Sequence, residues 1–262
     1  MSLLFGHWWL TPLILTFFSG ILCPAMGTVL ITHKRLLQVN LISHCVLPGL
    51  ALALALGIDP SIGGVISGLL GALAAEAFSN KKKENYEAIM NTILAGSIGL
   101  GVLIIPILGI RIDLEAVLFG DLLTANSGDL LRTLIAFSSF IYLIFFGYNK
   151  LVFIGLDPEG AEASGIKVSY LNLALGFTTA LVIVSSMAAV GVILVIALLS
   201  TPALLALNEA PSLWVAMVKS STFGLAISLT GFLLAIILNM SPGPLISVLC
   251  IGSLAFLPKN RS

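Results

Sequence analysis

Apolar stretches of about twenty residues follow one another from end to end of this chain, and no other feature constrains its fold as far. In hydrocarbon the backbone must satisfy its own hydrogen bonds, and runs of that length do so as helices rather than as the short strands of a barrel. Only 9% of the 262 residues are charged and 58% are hydrophobic, against about 25% charged in soluble domains. The reading is an all-α polytopic membrane protein, one transmembrane domain over 1–262, without room for a soluble domain of any size. The first charged residue by the usual count is Lys34, so the start lacks the basic region expected of a cleavable signal peptide. Cys23, Cys45 and Cys250 all fall in apolar segments without a C-x-x-C pair and read as small buried hydrophobes.

The expected spans cover 10–31, 37–57, 60–78, 88–110 and 130–149, two within 169–207 broken near Ser185–Ala189, then 213–238 and 242–258. That makes about nine, or eight if 169–207 forms a single long or re-entrant helix. Trp8 and Trp9 anchor the first at the interface. In the third, Gly64, Gly68 and Ala72, and likewise Ser67, Gly71 and Ala75, form two small-residue stripes of the kind that let helices approach closely. The connection 111–128, with Asp113, Glu115 and Asp121, can lie at the surface as a short amphipathic helix. In this count Lys34, Arg35, Lys81, Lys82, Lys83, Lys150, Lys167, Lys259 and Arg261 share one side, and only Arg111 and Arg132 fall on the other. Positive residues stay inside, which puts the N-terminus outside and the C-terminus inside.

One span carries polar groups. In Gln38 to Gly49, QVNLISHCVLPG, the residues Asn40, His44 and Pro48 are four apart and stack on one helix face. Pro48 has no N–H and crowds the carbonyl of residue 44, so the helix should kink and leave that carbonyl free. An imidazole, an amide and a loose carbonyl on one face, with Ser43 beside them, can pass a cation. The alternative is a histidine hydrogen-bonded between packed helices.

The loop GLDPEGAEASGIKVS has a character of its own. Asp157 can cap a helix starting at Pro158 and continuing through Glu159, Gly160 and Ala161, and Gly165 can end it. The segment 157–166 is then a rigid knob with small side chains, suited to a partner's groove, or simply a well-ordered loop. With SHCVLPG at 43–49, DLEAVLFGDLL at 113–123, DPEGAEASGI at 157–166 and AVGVILVIALLSTPA at 189–203, the chain resembles the permease subunits of zinc/manganese/iron ABC importers. Four segments in the same order and at similar separations extend the resemblance over nearly the whole chain.

The resemblance implies a fold similar to the type II ABC importers, a homodimer of permeases, a cytoplasmic ATP-binding subunit and an extracytoplasmic metal-binding protein. It implies that 157–166 is the coupling helix seated on the ATPase and that His44 lies in the translocation path. The expected cargo is manganese or zinc, with iron ranked behind them, across a bacterial plasma membrane. No cofactor is expected in this chain, and no nucleic acid. Two positions depart from the family pattern: Asn40 stands where an acidic residue is usual, and Ala188 replaces a glutamine. Glu76 and Glu87 are the acids nearest the spans concerned, and both read as solvated residues at a helix end. The chain has no G-x-x-x-x-G-K-[ST] phosphate loop, so ATP hydrolysis is expected in a separate subunit. A secondary transporter or channel for a divalent cation is the competing reading, although mid-span carboxylates are absent. An intramembrane enzyme is set aside, because Ser43 and His44 point about 100° apart on a helix.

Overall fold

The computed structural model describes residues 10–79, 86–109 and 127–256, and among these every regular element is a helix. In chain order they are α1 (Leu10–Thr32), α2 (Leu36–Ala55), α3 (Pro60–Ser79), α4 (Tyr86–Ile107), α5 (Ser127–Leu156) and α6 (Pro158–Ala163). Then come α7 (Val168–Val190), α8 (Val192–Leu207), α9 (Leu213–Leu238) and α10 (Pro242–Ser253), with a 3-10 turn at Leu254–Phe256. Among the described residues, each of the nine apolar segments read from the sequence forms a helix. Six are long and apolar enough to cross a membrane: α1, α2, α4, α5, α7 and α9. The apolar part of α3, with α8 and α10, is shorter. The expected surface helix at 111–128 falls almost wholly outside the described residues, as do Lys81, Lys82 and Lys83.

α1 is the most buried of the six. It packs on α9, α8, α5 and α7 and supplies Leu15, Leu22, Met26, Val29 and Leu30 to the core. The tightest approach is to α8. A Cβ on Gly27 would lie 2.7 Å from the Leu199 carbonyl carbon and nearer still to its oxygen, so only glycine fits there. α2 packs chiefly on α3 and α4. Both small-residue stripes of α3 face it, with Gly64 and Gly68 against Val46 and Ile42, and Gly71 against Cys45.

Two boundaries differ from the expectation. The break in 169–207 lies at Gly191, just beyond Ser185–Ala189. Gly191 adopts φ 84° and ψ 156°, a left-handed φ that costs glycine little and other residues more. α5 runs 30 residues and overshoots the expected 130–149 at both ends. Tyr148, Asn149 and Lys150 do not stop it, and the first strong breaker is Pro158, where the preceding residue is driven out of helical geometry.

Candidate functional site

α2 is helical straight through Pro48. The proline still withholds the N–H that the His44 carbonyl would otherwise receive. Asn40, His44 and Pro48 are each half-buried, as their common face requires. Neither the Asn40 amide nor the His44 ring has a hydrogen-bond partner among the described residues. The stripe therefore presents an amide oxygen and an imidazole nitrogen beside a carbonyl that Pro48 deprives of its usual donor. Ser43 does not join it. Its side chain is buried and its hydroxyl donates to the Val39 carbonyl at 2.8 Å, one turn back.

α4 backs this stripe along a seam the sequence did not reveal. The Cys45 Sγ and Ser97 Oγ lie 3.0 Å apart, and Gly101 sits against Leu47 and the Pro48 ring. Most of α4 away from that seam is exposed, and a Cβ on Gly96 or Gly99 would meet nothing within 4 Å. Glu87, at the start of α4, is exposed as expected of a solvated residue. The side chains of Glu76 and Ala188 lie outside the described residues. No three His, Cys, Asp or Glu side chains among the described residues converge on a metal site. Asn40 and His44 thus form a sparse donor pair rather than a cage.

α6 follows its sequence closely. The Asp157 carboxylate accepts the Gly160 N–H at 2.9 Å, Pro158 opens the helix, and Gly165 ends it with φ 82°. Ile166 N–H donates back to the Ala161 carbonyl at 3.1 Å. A Cβ on Gly160 would collide with the capping carboxylate, which explains the glycine three residues after the aspartate. Ala161 is fully buried beneath the helix, and Asp157, Pro158, Glu159 and Glu162 face outward.

Two charged or polar contacts tie α5 to the turns on either side of α2. At one end Arg132 binds Asp59 at 2.5 Å and Asp129 at 2.6 Å. The Ser61 backbone N–H, capping α3 through Asp59, and the Arg132 guanidinium together hold the Asp59 carboxyl below its ordinary pKa. At the other end His33, in the α1–α2 turn, lies against Gly155 and the Leu151 backbone. Burial, with Arg35 nearby, lowers its pKa from 6.5 to about 4, against a smaller opposing effect of the Leu151 backbone. His33 is therefore neutral at ordinary pH. The turn carrying Lys34 and Arg35 and the end of α5 carrying Lys150 and α6 lie on one side of the bundle, with Asp59, Asp129 and Arg132 on the other.

This chain is similar to known proteins over most of its length. The manganese import system permease protein ScaB of Streptococcus parasanguinis is 30% identical over 97% of this chain and 92% of its own length. The manganese transport system membrane protein MntC of Listeria monocytogenes is 31% identical over 86% of this chain and 80% of its own. A chain in the solved structure of PsaBC from Streptococcus pneumoniae in complex with Fab superposes with a TM-score of 0.86. It is 29% identical, over 97% of this chain and 92% of that one. The sequence profile of the ABC 3 transport family matches residues 8–259. This chain belongs to the ABC 3 transport family, as a polytopic permease.

Proposed function

We propose that this permease carries a divalent transition metal, manganese ahead of zinc and both ahead of iron, along the Asn40–His44–Pro48 face of α2. The observation that carries the reading is that half-buried stripe of nitrogen and oxygen donors within a membrane helix. Imidazole suits zinc, and carbonyl-type oxygen suits manganese. Manganese is put first because ScaB and MntC, similar over nearly the whole chain, are named for it. Without a carboxylate at position 40 the ion is held briefly, as a path requires.

Energy comes from a separate ATP-binding subunit that seats on α6, with Asp157, Pro158, Glu159, Gly160, Ala161 and Gly165 as the coupling element. A metal-binding protein delivers the ion at the opposite face, and two permeases pair. Lys34, Arg35, Lys150 and Lys167 cluster at the α6 end. By the positive-inside rule that end is cytoplasmic and the N-terminus is outside, and the similar bacterial permeases make the membrane the bacterial plasma membrane.

The test is whole-cell metal content by mass spectrometry in an importer-deficient bacterium. The cells express this chain with its ATPase and binding protein, with and without His44→Ala. A rise in manganese or zinc that the substitution abolishes supports the path and names the cargo. A rise that survives it removes His44 from the path, and no rise in any divalent metal rejects the proposed cargo class.

A further inference from the structure

α5 occupies an unusual position. It carries α6 directly on its C-terminal end, separated only by the capping Asp157. Its body packs on α1 and α7 rather than on α2, with Phe137 edge-on to Phe18 at 5.4 Å and Ser139 beside Thr178. Yet it is tied to both turns that bound α2. His33 lies three residues before Leu36, and Asp59 lies four residues after Ala55. The first meets α5 at Leu151 and Gly155, and the second meets it at Arg132.

His33 has no evident role in the folding of its own turn. The backbone closes that turn by itself, through Lys34 N–H to Ile31 O at 2.9 Å and Arg35 N–H to Leu30 O at 2.8 Å. The imidazole points across to α5 instead, and its Nε2 is buried without a partner. Burying an unsatisfied ring nitrogen is costly, so a plain apolar side chain would be expected if packing were the only requirement. A planar ring seated on the last turns of α5 moves when those turns move. At the far end Asp59 caps α3 through Ser61 while binding Arg132, so a shift of the start of α5 reaches the α2–α3 turn through one carboxylate.

We infer that α5 is a transmission rod that converts displacement of α6 into displacement of α2, with His33 and the Asp59–Arg132 pair as its two couplings. His33, Asp59 and Arg132 are positioning residues: they do not touch the ion but set where the Asn40–His44 face stands. The inference rests on the permease reading above. A rod held at both ends shifts α2 as a unit, so losing either coupling lets α6 move without the full response of α2. Nucleotide hydrolysis then continues while fewer ions cross.

The experiment uses the complete transporter, permease with ATPase and binding protein, in liposomes loaded to report manganese entry. The quantity read is ATP hydrolysed per manganese ion imported. Asp59→Asn removes the charge that holds Arg132. His33→Leu removes the polar ring, and His33→Gln keeps a polar side chain against the Leu151 backbone. The expected result is about a fivefold or larger rise in ATP per ion for Asp59→Asn and for His33→Leu, the lower range of coupling effects between sites. His33→Gln should stay near the wild-type ratio, and all three should copurify with the ATPase and keep basal hydrolysis. Wild-type ratios in Asp59→Asn and His33→Leu overturn the inference. So does joint loss of ATPase binding and thermal stability, because the contacts then serve only the fold. Absence of manganese entry with the unsubstituted chain would reject the permease reading itself, a separate outcome.

Discussion

Replacing Gly27 by alanine tests the α1–α8 contact on which the centre of the bundle depends. The added Cβ would lie 2.7 Å from the Leu199 carbonyl carbon and 3.1 Å from its Cα. Carbon atoms rest about 3.5–4.0 Å apart, and the Leu199 carbonyl oxygen is nearer to the new atom than its carbon is, so the helices must part by at least about 1 Å. A gap of that size forfeits about a quarter to a half of each dispersion contact it opens. Those contacts involve Leu22, Met26 and Leu30 on α1, and Val195, Leu198 and Leu199 on α8, all buried. The obstacle is backbone and cannot change rotamer, so the cost sits near the top of the ~1–3 kcal/mol range for overpacking. Relief of glycine's helix penalty returns about 0.5–1 kcal/mol, leaving a net loss of roughly 2 kcal/mol. For a chain of this size that is a fall in melting temperature of about 5 °C. Cys23, Cys45 and Cys250 are free and buried, so a thiol-reactive fluorophore reports unfolding without any added label. Gly99→Ala is the matched control. Nothing lies within 4 Å of its added methyl, so it should melt at or slightly above the unsubstituted protein. If Gly27→Ala melts as high as Gly99→Ala, the argument from backbone contact is wrong.

Three further outcomes follow from the same geometry. Asn40→Asp should tighten manganese binding to the purified permease roughly tenfold, the order expected on charging one ligand, and titration calorimetry would show it; unchanged affinity would mean that position 40 does not face the ion. Ala161→Phe forces a ring beneath α6 where an alanine is already fully enclosed. It should abolish ATPase copurification while the permease still elutes as folded protein, and retained copurification would count against α6 as the seat. His33 is neutral in the folded state until about pH 4 and protonates near 6.5 once unfolded. Between those values the unfolded state binds more protons, so stability falls as pH drops from 6.5 towards 4, by about 3 kcal/mol at most. Tryptophan-monitored melting of the unsubstituted protein and His33→Gln should diverge in that window, and parallel curves would contradict the burial of the ring.

The nine apolar segments and α6 were legible because each carries its signal locally. Length and hydropathy mark a span, and an Asp-Pro start with a glycine end marks the short helix. The Asn40, His44 and Pro48 face was legible for the same reason, since a four-residue spacing is a local property. Ser43 misled because adjacency in sequence is not adjacency on a helix: its hydroxyl turns to the Val39 carbonyl on a packed face. The overshoot of α5 was hidden by Tyr148 and Lys150, whose polarity resembles an ending although neither breaks a helix. Arg132–Asp59, His33–Gly155 and Cys45–Ser97 were out of reach, because each joins residues dozens to more than a hundred positions apart. No periodicity reports such pairs.

The length of α5 fixes where α6 stands relative to the lipid. From Arg132 to Lys150 the helix rises about 27 Å at 1.5 Å per residue, close to the ~30 Å thickness of a hydrocarbon core. That match lets the two cations sit at the two edges of the acyl chains. The six residues from Leu151 to Leu156 carry it a further ~9 Å, more than the roughly 5–8 Å of headgroup on that side. In that placement α6 stands proud of the membrane surface, on a stem that a thicker bilayer would tilt upright and a thinner one would let lean. Bilayer thickness becomes a variable that acts on the height of this knob before any partner reaches it.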